Sequence, residues 1–527
     1  MAVQYRKNKN VALFQQFDDP SLLNVEGAQN YIPIYERFFE LNATNWQNVT
    51  LSHLRTLISV KKKAENDNLY TAIVQDENDQ EHTVPVFFKY SPLLDPNKYI
   101  TGSYQEKEAL PVWGETTCHA KLLDANNAAY VDSFFYYLSS RLKHSGFVHG
   151  LDFYGSYLGY KKGFKYVLED DAEFILSDTF FKKNHGEWFT ASVELPGKQD
   201  KIMIGEECVI EFDTLEGEVG AVSTPTTPVD EVVDCDISEQ KLYLRSRSSS
   251  ASSNSSNSEA DTEHESDSAG SDSYSSGSSE YDGLDPYVTI RQYPVQVIAM
   301  EACKQTLDSL LDTLTPKEMT ACLCQVIMTL VAYQKAYQFT HNDLHTNNIM
   351  YVETDEPFLY YFVEDTAYQV PTFGKIFKII DFGRSIYTFQ GQKFVSDSFS
   401  DRGDAATQYN TEPYFNLDKP RIEPNYSFDL CRLACSMVDT LPETDEYEQL
   451  NQLIEDWCCD DKGRNVVYKK NGEERYPGFK LYKMIARTVH HHVPLMQLRR
   501  PLFQAFIIKK KQLKHLKYLD LNDIKAF

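Results

Sequence analysis

The sequence predicts an α+β fold in which a small β-rich part precedes a mainly helical part. Residues 51–90 contain three segments rich in β-branched and aromatic residues, LRTLISV, NLYTAIV and TVPVFFK, separated by polar turns, which is the pattern of a β-meander. Residues 316–338 follow the spacing of a long helix. Between these two parts lies a long acidic, serine-rich stretch whose composition predicts disorder.

The elements of the first part continue after the meander. Residues 128–143, AAYVDSFFYYLSSRLK, have the length of a helix, and apolar side chains recur at helical spacing from Val131 to Leu138. The segment FYGSYLGY follows as a short strand, and residues 293–300, YPVQVIAM, predict another strand. The sequence therefore places one helix among the strands of the first part.

The stretch over residues 206–285 predicts an inserted, mostly disordered acidic loop. Residues 206–240 carry eleven acids and no Lys or Arg, and half of residues 246–279 are Ser. Such a segment buries too little apolar surface to offset the entropy of ordering it. Its many serines beside acids make it a candidate for phosphorylation, and a solvated spacer is an equally good interpretation.

A strong helix start opens the second part. Thr315-Pro316-Lys317-Glu318 provides an N-cap hydroxyl, a proline at the first helical position and a glutamate three residues after the cap, which together form a capping box. Apolar residues then recur at i, i+3 and i+4 from Met319 to Val331. We expect this helix to end near Gln338.

Charge and composition exclude several classes of function. The formal net charge is −25, of which residues 206–283 contribute −16, so net charge gives no support to nucleic-acid binding. No apolar run is long enough to cross a membrane, and the N-terminus lacks the apolar core of a signal peptide. The ten cysteines lack the paired spacing of a zinc site and predict free thiols. These observations predict a soluble, cytoplasmic protein.

The chemistry-bearing motif lies just after the long helix. His341-Asn-Asp343-Leu-His-Thr-Asn-Asn348 matches H-x-D-x-x-x-x-N, in which a carboxylate can take the proton of a hydroxyl and an amide oxygen five residues later can face a magnesium ion. Downstream, the apolar segment Lys378-Ile-Ile leads to Asp381-Phe-Gly, and Asp381 is a candidate magnesium ligand. Upstream, Lys89 ends a strand among apolar residues, where its charge needs a partner such as a phosphate.

The order and setting of these residues resemble the protein kinase fold, from about residue 51 to about residue 510. The segments HNDLHTNNIMY, KIIDFGRSIY and FDLCRLA are similar to the serine/threonine protein kinases of large nucleocytoplasmic DNA viruses, of the iridovirus, marseillevirus and mimivirus type. The resemblance implies a bilobal fold with residues 1–50 as an N-terminal extension, 51–205 as the first part of the N-lobe, 206–285 as an insert, 286–303 as the last N-lobe strand and hinge, and 304–527 as the C-lobe.

The same resemblance implies roles for individual residues and an ATP- and Mg²⁺-dependent transfer to protein Ser or Thr hydroxyls. Asp343 would be the catalytic base, and Asn348 and Asp381 would bind magnesium. Lys89 would pair with the α- and β-phosphates of ATP. Met300 would gate the adenine pocket, whose hinge would be formed by Glu301 and Cys303. Asp429 would hydrogen-bond the backbone of the catalytic loop. A viral kinase would act in the host cytoplasm and could be carried in the virion.

Several positions depart from the family pattern. The turn Lys61–Asn68 replaces the usual glycine-rich loop, so its lysines could supply positive charge there or form only a solvated hairpin tip. The helix after Lys89 has no Glu, and Asp132 is its only acid and the candidate partner of Lys89. Asn342 replaces the arginine that pairs with a phosphorylated activation loop, which suggests activity without that phosphorylation. A clear A-P-E is also absent, with only Glu412-Pro413 resembling it.

His345 keeps a second class of substrate open. Small-molecule kinases of the aminoglycoside and choline type often carry D-x-H-x-x-N, as here, and His345 could donate a hydrogen bond to the transferring phosphoryl group or could be a packed loop histidine. A pseudokinase that serves as a binding or scaffold module is a third hypothesis, favoured by the missing glycine loop. The sequence does not name the substrate or the oligomeric state.

Overall fold

The computed structural model describes residues 3–52, 54–63, 68–168, 172–193 and 286–527, and these form a mixed α+β protein with a large β-rich region. The acidic segment predicted over residues 206–285 lies outside the described residues. Part of the turn Lys61–Asn68 also lies outside them.

The first part is built around a seven-stranded antiparallel sheet with the order β2-β7-β9-β6-β5-β4, and β8 pairs with β9. The three predicted strands of residues 51–90 are confirmed, although each is longer than its apolar segment. The strands are β1 (Tyr5–Lys7), β2 (Val25–Gln29), β3 (Val49–Leu51), β4 (Arg55–Lys63), β5 (Leu69–Asp76), β6 (Glu81–Pro92), β7 (Phe153–Val167), β8 (Phe189–Ala191) and β9 (Tyr287–Glu301).

The N-terminal fifty residues, expected as an N-terminal extension, pair and pack with this β-rich region. Strand β2 adds an edge to the sheet by pairing with β7, and β1 pairs with β3. Phe17 and Leu23 are fully buried in the common core. These contacts are non-local, and the local sequence of residues 1–50 carries no strong strand signal that could have predicted them.

Among the described residues of the first part, the α-helices are α1 (Val11–Asp18), α2 (Pro96–Ile100), α3 (Ala120–Leu123), α4 (Ala128–Arg141), α5 (Ala172–Ser177) and α6 (Thr179–Asn184), and α1 and α4 pack against the sheet. Helix α4 is the predicted helix of residues 128–143. The side chain of Asn127 caps it by accepting from the N–H of Ala129, and nearly all of its residues are buried. A helix that is buried on all sides lies in a core, so its acid, Asp132, needs a partner.

The second part is organised around the long helix α7 (Pro316–Tyr337), which the capping box of Thr315 and Glu318 starts as predicted. The helix ends one residue before the expected position, because Gln338 adopts a left-handed conformation. The remaining helices are α8 (Phe428–Cys435), α9 (Glu448–Trp457), α10 (Lys480–Thr488), α11 (Pro494–Gln497) and α12 (Pro501–Gln504).

The second part was expected to be mainly helical, but it also contains many short β-strands. Antiparallel pairs and a four-stranded sheet lie between and after its helices. Runs of aromatic and other apolar residues such as FLYYFV explain the extra hairpin of β11 and β12. The strands are β10 (Ile349–Glu353), β11 (Phe358–Val363), β12 (Thr366–Pro371), β13 (Lys375–Ile379), β14 (Ile386–Phe389), β15 (Gln392–Val395), β16 (Ile507–Ile508) and β17 (Leu519–Asp520).

The described residues also bear on the expected absence of membrane spans and on the cysteines. Within those residues, no helix combines the length and the apolar character that a membrane span requires. The eight cysteines that lie in the described ranges are all free thiols, as predicted.

Candidate functional site

The candidate site begins at Lys89, whose ammonium group lies between two carboxylates. Its Nζ is 2.7 Å from Asp132 Oδ2 on α4 and 2.8 Å from Asp381 Oδ1. Lys89 is fixed on β6, where it pairs with Ile298 of β9. Three residues that are far apart in the sequence therefore meet, and the shorter arm of Asp132 is long enough because α4 packs closely against the sheet.

Helix α4 also fixes the backbone around Asp381. The N–H of Asp381 donates to the hydroxyl oxygen of Tyr136 at 2.8 Å, and the N–H of Phe382 donates to Asp132 Oδ1 at 2.7 Å. Asp381 has a φ of +61°, a left-handed conformation that is uncommon for residues other than Gly. Asp132 thus binds the lysine with one oxygen and orients the segment that carries Asp381 with the other.

The electrostatics of this cluster keep Lys89 and Asp381 charged. Burial alone would lower the pKa of Lys89, but the charges of Asp132 and Asp381 raise it well above its usual value. Burial opposes ionisation of Asp381, and Lys89 outweighs that effect so that the pKa of Asp381 falls to about 2. The side chain of Asp381 is 51% exposed, so a solvent-facing oxygen remains open to a ligand.

Asp429 of α8 holds the backbone of the loop that carries the predicted base. Its Oδ2 accepts from the N–H of His341 and its Oδ1 from the N–H of Asn342, both at 2.9 Å. Asp429 is fully buried, and these are the backbone hydrogen bonds predicted for it. His341 in turn contacts the carbonyl oxygen of Ile380 through Nε2 at 2.9 Å, which joins the loop to the residue before Asp381.

Strand pairing places Asn348 beside Asp381. Strand β10 starts immediately after Asn348, β13 ends two residues before Asp381, and the two strands are antiparallel with Ile349 opposite Ile379. The N–H of Ile380 donates to the carbonyl oxygen of Asn348 at 3.0 Å. The amide Nδ2 of Asn348 donates to the carbonyl oxygen of Asp343 at 2.9 Å, which leaves the amide oxygen as a possible ligand atom.

His345 is buried inside this loop and contacts Asn348. Its Nε2 lies 3.1 Å from Nδ2 of Asn348, which can only donate, so Nε2 accepts and the proton of the neutral imidazole is on Nδ1. Burial lowers the pKa of His345 to about 4, which keeps it neutral near pH 7. The histidine therefore orients the amide of Asn348, and its Nδ1–H is the atom that could donate to a phosphoryl group.

Both oxygens of the Asp343 carboxylate are held by side chains that the sequence did not suggest. The hydroxyl of Tyr482 on α10 donates to Oδ1 at 2.7 Å, and Nη1 of Arg384 donates to Oδ2 at 3.3 Å. Burial opposes ionisation, but Arg384, Arg432, His345 and Tyr482 together lower the pKa of Asp343 below its ordinary value. Asp343 is thus an oriented carboxylate that stays ionised at neutral pH, and its side chain is still 20% exposed.

Arg384 connects Asp343 to the segment that follows Gly383. Its Nη2 lies 2.6 Å from Asp404 Oδ2, so a carboxylate occupies the position next to this guanidinium. Asn342 strengthens the link, because its Nδ2 donates to the carbonyl oxygen of Arg384 at 2.9 Å and its Oδ1 accepts from the hydroxyl of Tyr409 at 2.7 Å. The loop and the segment are therefore tied together by unmodified side chains.

The residues predicted to form the hinge lie at the end of β9. Met300 is buried and pairs with Phe87, while the N–H of Glu301 donates to the carbonyl oxygen of Asp152 at 2.9 Å. The carboxylate of Glu301 lies 3.5 Å from the Nζ of Lys378. The sequence expectation gave this side chain no role, and the structure shows that it neutralises a buried lysine.

Cys303 lies in the segment that leads from the sheet to the second part. Burial raises the pKa of its thiol to about 12, so the side chain stays protonated. The N–H of Lys304 donates to Tyr351 and that of Leu307 to Ile349, so this segment runs beside β10. Within the described residues, no main-chain hydrogen bond occupies the peptide of Cys303, which fits a segment that binds a ligand through its backbone.

The donor set of the site fits a magnesium ion that a nucleotide brings with it. Within the described ranges, no group of three or more His, Cys, Asp or Glu residues could hold a metal by itself. Asp381 and Asn348 offer one carboxylate and one amide oxygen. Magnesium is commonly bound by one or two protein oxygens together with phosphates and waters, so these two residues match that mode of binding.

The structure therefore brings together Lys89, Asp132 and Asp381 directly, and it connects Asp381 to Asp343, His345 and Asn348 through the paired strands β10 and β13. Sequence reasoning missed Tyr136, Tyr482, Arg384 and Asp404. Only Arg384 carried a local signal, its position directly after Asp-Phe-Gly. Comparison with known proteins adds no assignment: neither the protein-family models nor the curated proteins contain a match to this chain.

If Asp343 serves as a catalytic base, as the sequence predicts, Tyr482→Phe should move the acid limb of the pH–rate profile to higher pH. The hydroxyl of Tyr482 favours the ionised form of Asp343, so its loss raises the pKa of Asp343 and protonates the base at a pH where the wild type is still ionised. On the acid limb turnover should fall about tenfold, the effect of one hydrogen bond to a charged group, and it should change little near neutral pH, where Asp343 is ionised in both proteins. The pH dependence of kcat for both proteins is the measurement, and an unshifted acid limb would contradict the assignment.

Proposed function

We propose that this chain is an ATP-dependent protein kinase with a bilobal kinase-like fold, which transfers the γ-phosphate of Mg-ATP to Ser or Thr hydroxyls. The observation that carries the proposal is the contact of Lys89 with both Asp132 and Asp381, next to a loop that presents Asp343 and Asn348. A lysine, two metal-binding oxygens and an oriented base are the set of groups that phosphoryl transfer from ATP requires.

Each residue has a distinct part in the proposed reaction. Bound magnesium would supply charge neutralisation on the phosphates, and Asp381 and Asn348 would hold it. Lys89 places a positive charge next to the phosphates, and Asp132 keeps that lysine charged and directed toward Asp381. The bond from the γ-phosphorus to the bridging oxygen of ADP breaks, a bond to the acceptor oxygen forms, and the proton of the acceptor hydroxyl passes to Asp343.

The contacts of Arg384 support activity without phosphorylation of the segment after Gly383. Asp404 already supplies the negative charge that a phosphate would supply elsewhere, and Asn342 and Tyr409 join the segment to the catalytic loop. The proposed enzyme would thus be synthesised in an ordered, competent state. These contacts support the interpretation that Asn342, in place of an arginine, suits a kinase that is active without that phosphorylation.

A phosphotransfer assay tests the proposal. The wild type should transfer labelled phosphate from ATP to protein acceptors, and chelation of magnesium or Asp381→Asn should abolish the transfer. Mass spectrometry of the products should find phosphoserine or phosphothreonine. A protein that binds ATP and transfers nothing would instead be a pseudokinase, and phosphotyrosine as the main product would contradict the Ser/Thr assignment.

Small hydroxyl compounds form the second candidate class of acceptor, which His345 favours. The same assay should therefore include aminoglycosides and choline beside the proteins. Selective transfer to one of these compounds, with none to proteins, would replace the proposed acceptor class while leaving the roles of Lys89, Asp343 and Asp381 in place.

A further inference from the structure

Helix α10, which carries Tyr482 to the base, presents positive charges on its other face. Lys480, Lys483 and Arg487 follow at i, i+3 and i+7, so they lie along one side of the helix, while Tyr482 and Ile485 are buried on the other. Lys480 and Arg487 are exposed, and Lys483 is half-buried. On the opposite, buried side of the same helix, the Tyr482 hydroxyl lies 2.7 Å from the carboxylate of Asp343.

A fourth cation, Lys419, comes from the segment before α8 and is exposed. Burial lowers the pKa of Lys483, and the nearby charges of Arg487 and Lys419 lower it further. Three positive charges therefore lie close enough to repel one another. We call Lys419, Lys480, Lys483 and Arg487 the cationic face.

Within the described part of the chain, no carboxylate pairs with the cationic face, and two of its ammonium groups, those of Lys480 and Lys483, lie over the rings of Tyr476 and Phe479. None of the four residues makes an ion pair with a described Asp or Glu. The Arg487 guanidinium instead donates to main-chain carbonyls, to that of Lys483 at 2.6 Å and to that of Thr407 at 2.9 Å. Charges at the same end of the molecule, such as Arg421 and Arg384, are by contrast paired with carboxylates.

Arg487 also connects the cationic face to the segment that contains Asp404, Thr407 and Tyr409. Thr407 lies between Asp404, which binds Arg384, and Tyr409, which binds Asn342. An acceptor chain that reaches Asp343 past residues 404–409 would therefore meet Arg487, which donates to the carbonyl oxygen of Thr407. Cations without a carboxylate partner at such a place attract negative charge and raise the local concentration of an acidic ligand.

We propose that the cationic face selects acidic protein segments as phosphate acceptors. This inference rests on the proposed kinase function and adds the class of substrate: Ser or Thr residues with several Asp or Glu residues nearby. Residues 259–282 of the chain, EADTEHESDSAGSDSYSSGSSEYD, have this composition, with eight acids and no Lys or Arg, and their sequence supplies a suitable probe.

The test compares two synthetic peptides as acceptors of the full-length protein. One has the sequence of residues 259–282, and in the other all eight acids are replaced by the corresponding amides. For the wild type, kcat/KM should be at least about tenfold higher for the acidic peptide. That preference should shrink as the NaCl concentration is raised from about 50 mM to about 300 mM, because salt screens exposed charges.

Two variants locate the effect on the cationic face. The triple variant Lys419→Gln, Lys483→Gln and Arg487→Gln should lose the preference, through a higher KM for the acidic peptide and with an unchanged KM for ATP. The double variant Lys419→Gln and Lys483→Gln, which retains the Arg487 contact with Thr407, should lose part of it. The matched control Lys510→Gln, Lys511→Gln and Lys514→Gln removes three exposed charges near the C-terminus and should keep the preference.

The outcomes separate this inference from the proposed function. Equal rates for the two peptides in the wild type, equal losses for both peptides in the triple variant, or loss of the preference in the C-terminal control would overturn the cationic face as an acceptor site. If no phosphate is transferred to any acceptor, the proposed function fails. Fluorescence anisotropy with the labelled acidic peptide then tests the cationic face as a binding site for acidic segments: tight binding to the wild type and weaker binding to the triple variant would retain that site, and equal binding would overturn it.

Discussion

Asp343→Asn is expected to lower kcat for phosphotransfer by about a thousandfold while leaving the affinity for ATP unchanged, since general-base catalysis contributes about 10²–10⁴-fold. The substitution keeps the size of the side chain but removes the negative charge and the ability to take the acceptor proton. The amide also cannot accept from both the Tyr482 hydroxyl and Nη1 of Arg384, so its orientation changes as well. Single-turnover rates and fluorescent-nucleotide titration measure the two quantities separately.

The matched control for this prediction is Asp404→Asn. Asp404 binds the same guanidinium as Asp343, but it lies in the segment after Gly383 and contacts no predicted ligand. Its substitution should cost less than about tenfold in kcat, because it weakens the orientation of Arg384 without removing the base. If Asp404→Asn were as damaging as Asp343→Asn, the loss would reflect the ion-pair network and the role of Asp343 as base would be wrong.

Lys89→Met is expected to lower kcat/KM for ATP by about a hundredfold or more, because one preorganised charge next to the reacting phosphates is worth about that much. It should also destabilise the protein by about 3 kcal/mol, since it leaves the carboxylates of Asp132 and Asp381 facing each other without their shared cation. Asp132 is almost completely buried, so water cannot replace the lysine there. Thermal unfolding and steady-state kinetics measure the two effects.

A double variant distinguishes catalysis from stability at this cluster. Lys89→Met with Asp132→Asn removes the buried negative charge and keeps an oxygen for the N–H of Phe382, so much of the lost stability should return. Activity should stay at the level of Lys89→Met, because no cation faces the phosphates. Activity that recovers together with stability would show that Lys89 acts only as a structural ion-pair partner.

The candidate site was predictable where its chemistry lies in short segments. Asp343 and Asn348 share one eight-residue motif, Asp381 follows an apolar strand, and Lys89 lies within another, β6. Even Asp132 could be named, because it is the only acid in α4. The sequence could not predict that one oxygen of Asp132 would bind Lys89 while the other accepts from the N–H of Phe382. These contacts depend on how α4 packs against β6 and on the path of residues 380–383.

By itself, the sequence determined the local elements and the order of the groups that bear chemistry. Hydrophobic periodicity and the capping box set α7, β-branched runs set the meander, and short motifs placed Lys89, Asp343, Asn348 and Asp381 on them. The tertiary structure alone decided that β2 would join the sheet, that Arg384 would bridge two carboxylates, and that Tyr482 would reach Asp343 across 139 residues of chain. Periodicity and capping act over a few residues, whereas these contacts depend on how whole elements pack in space.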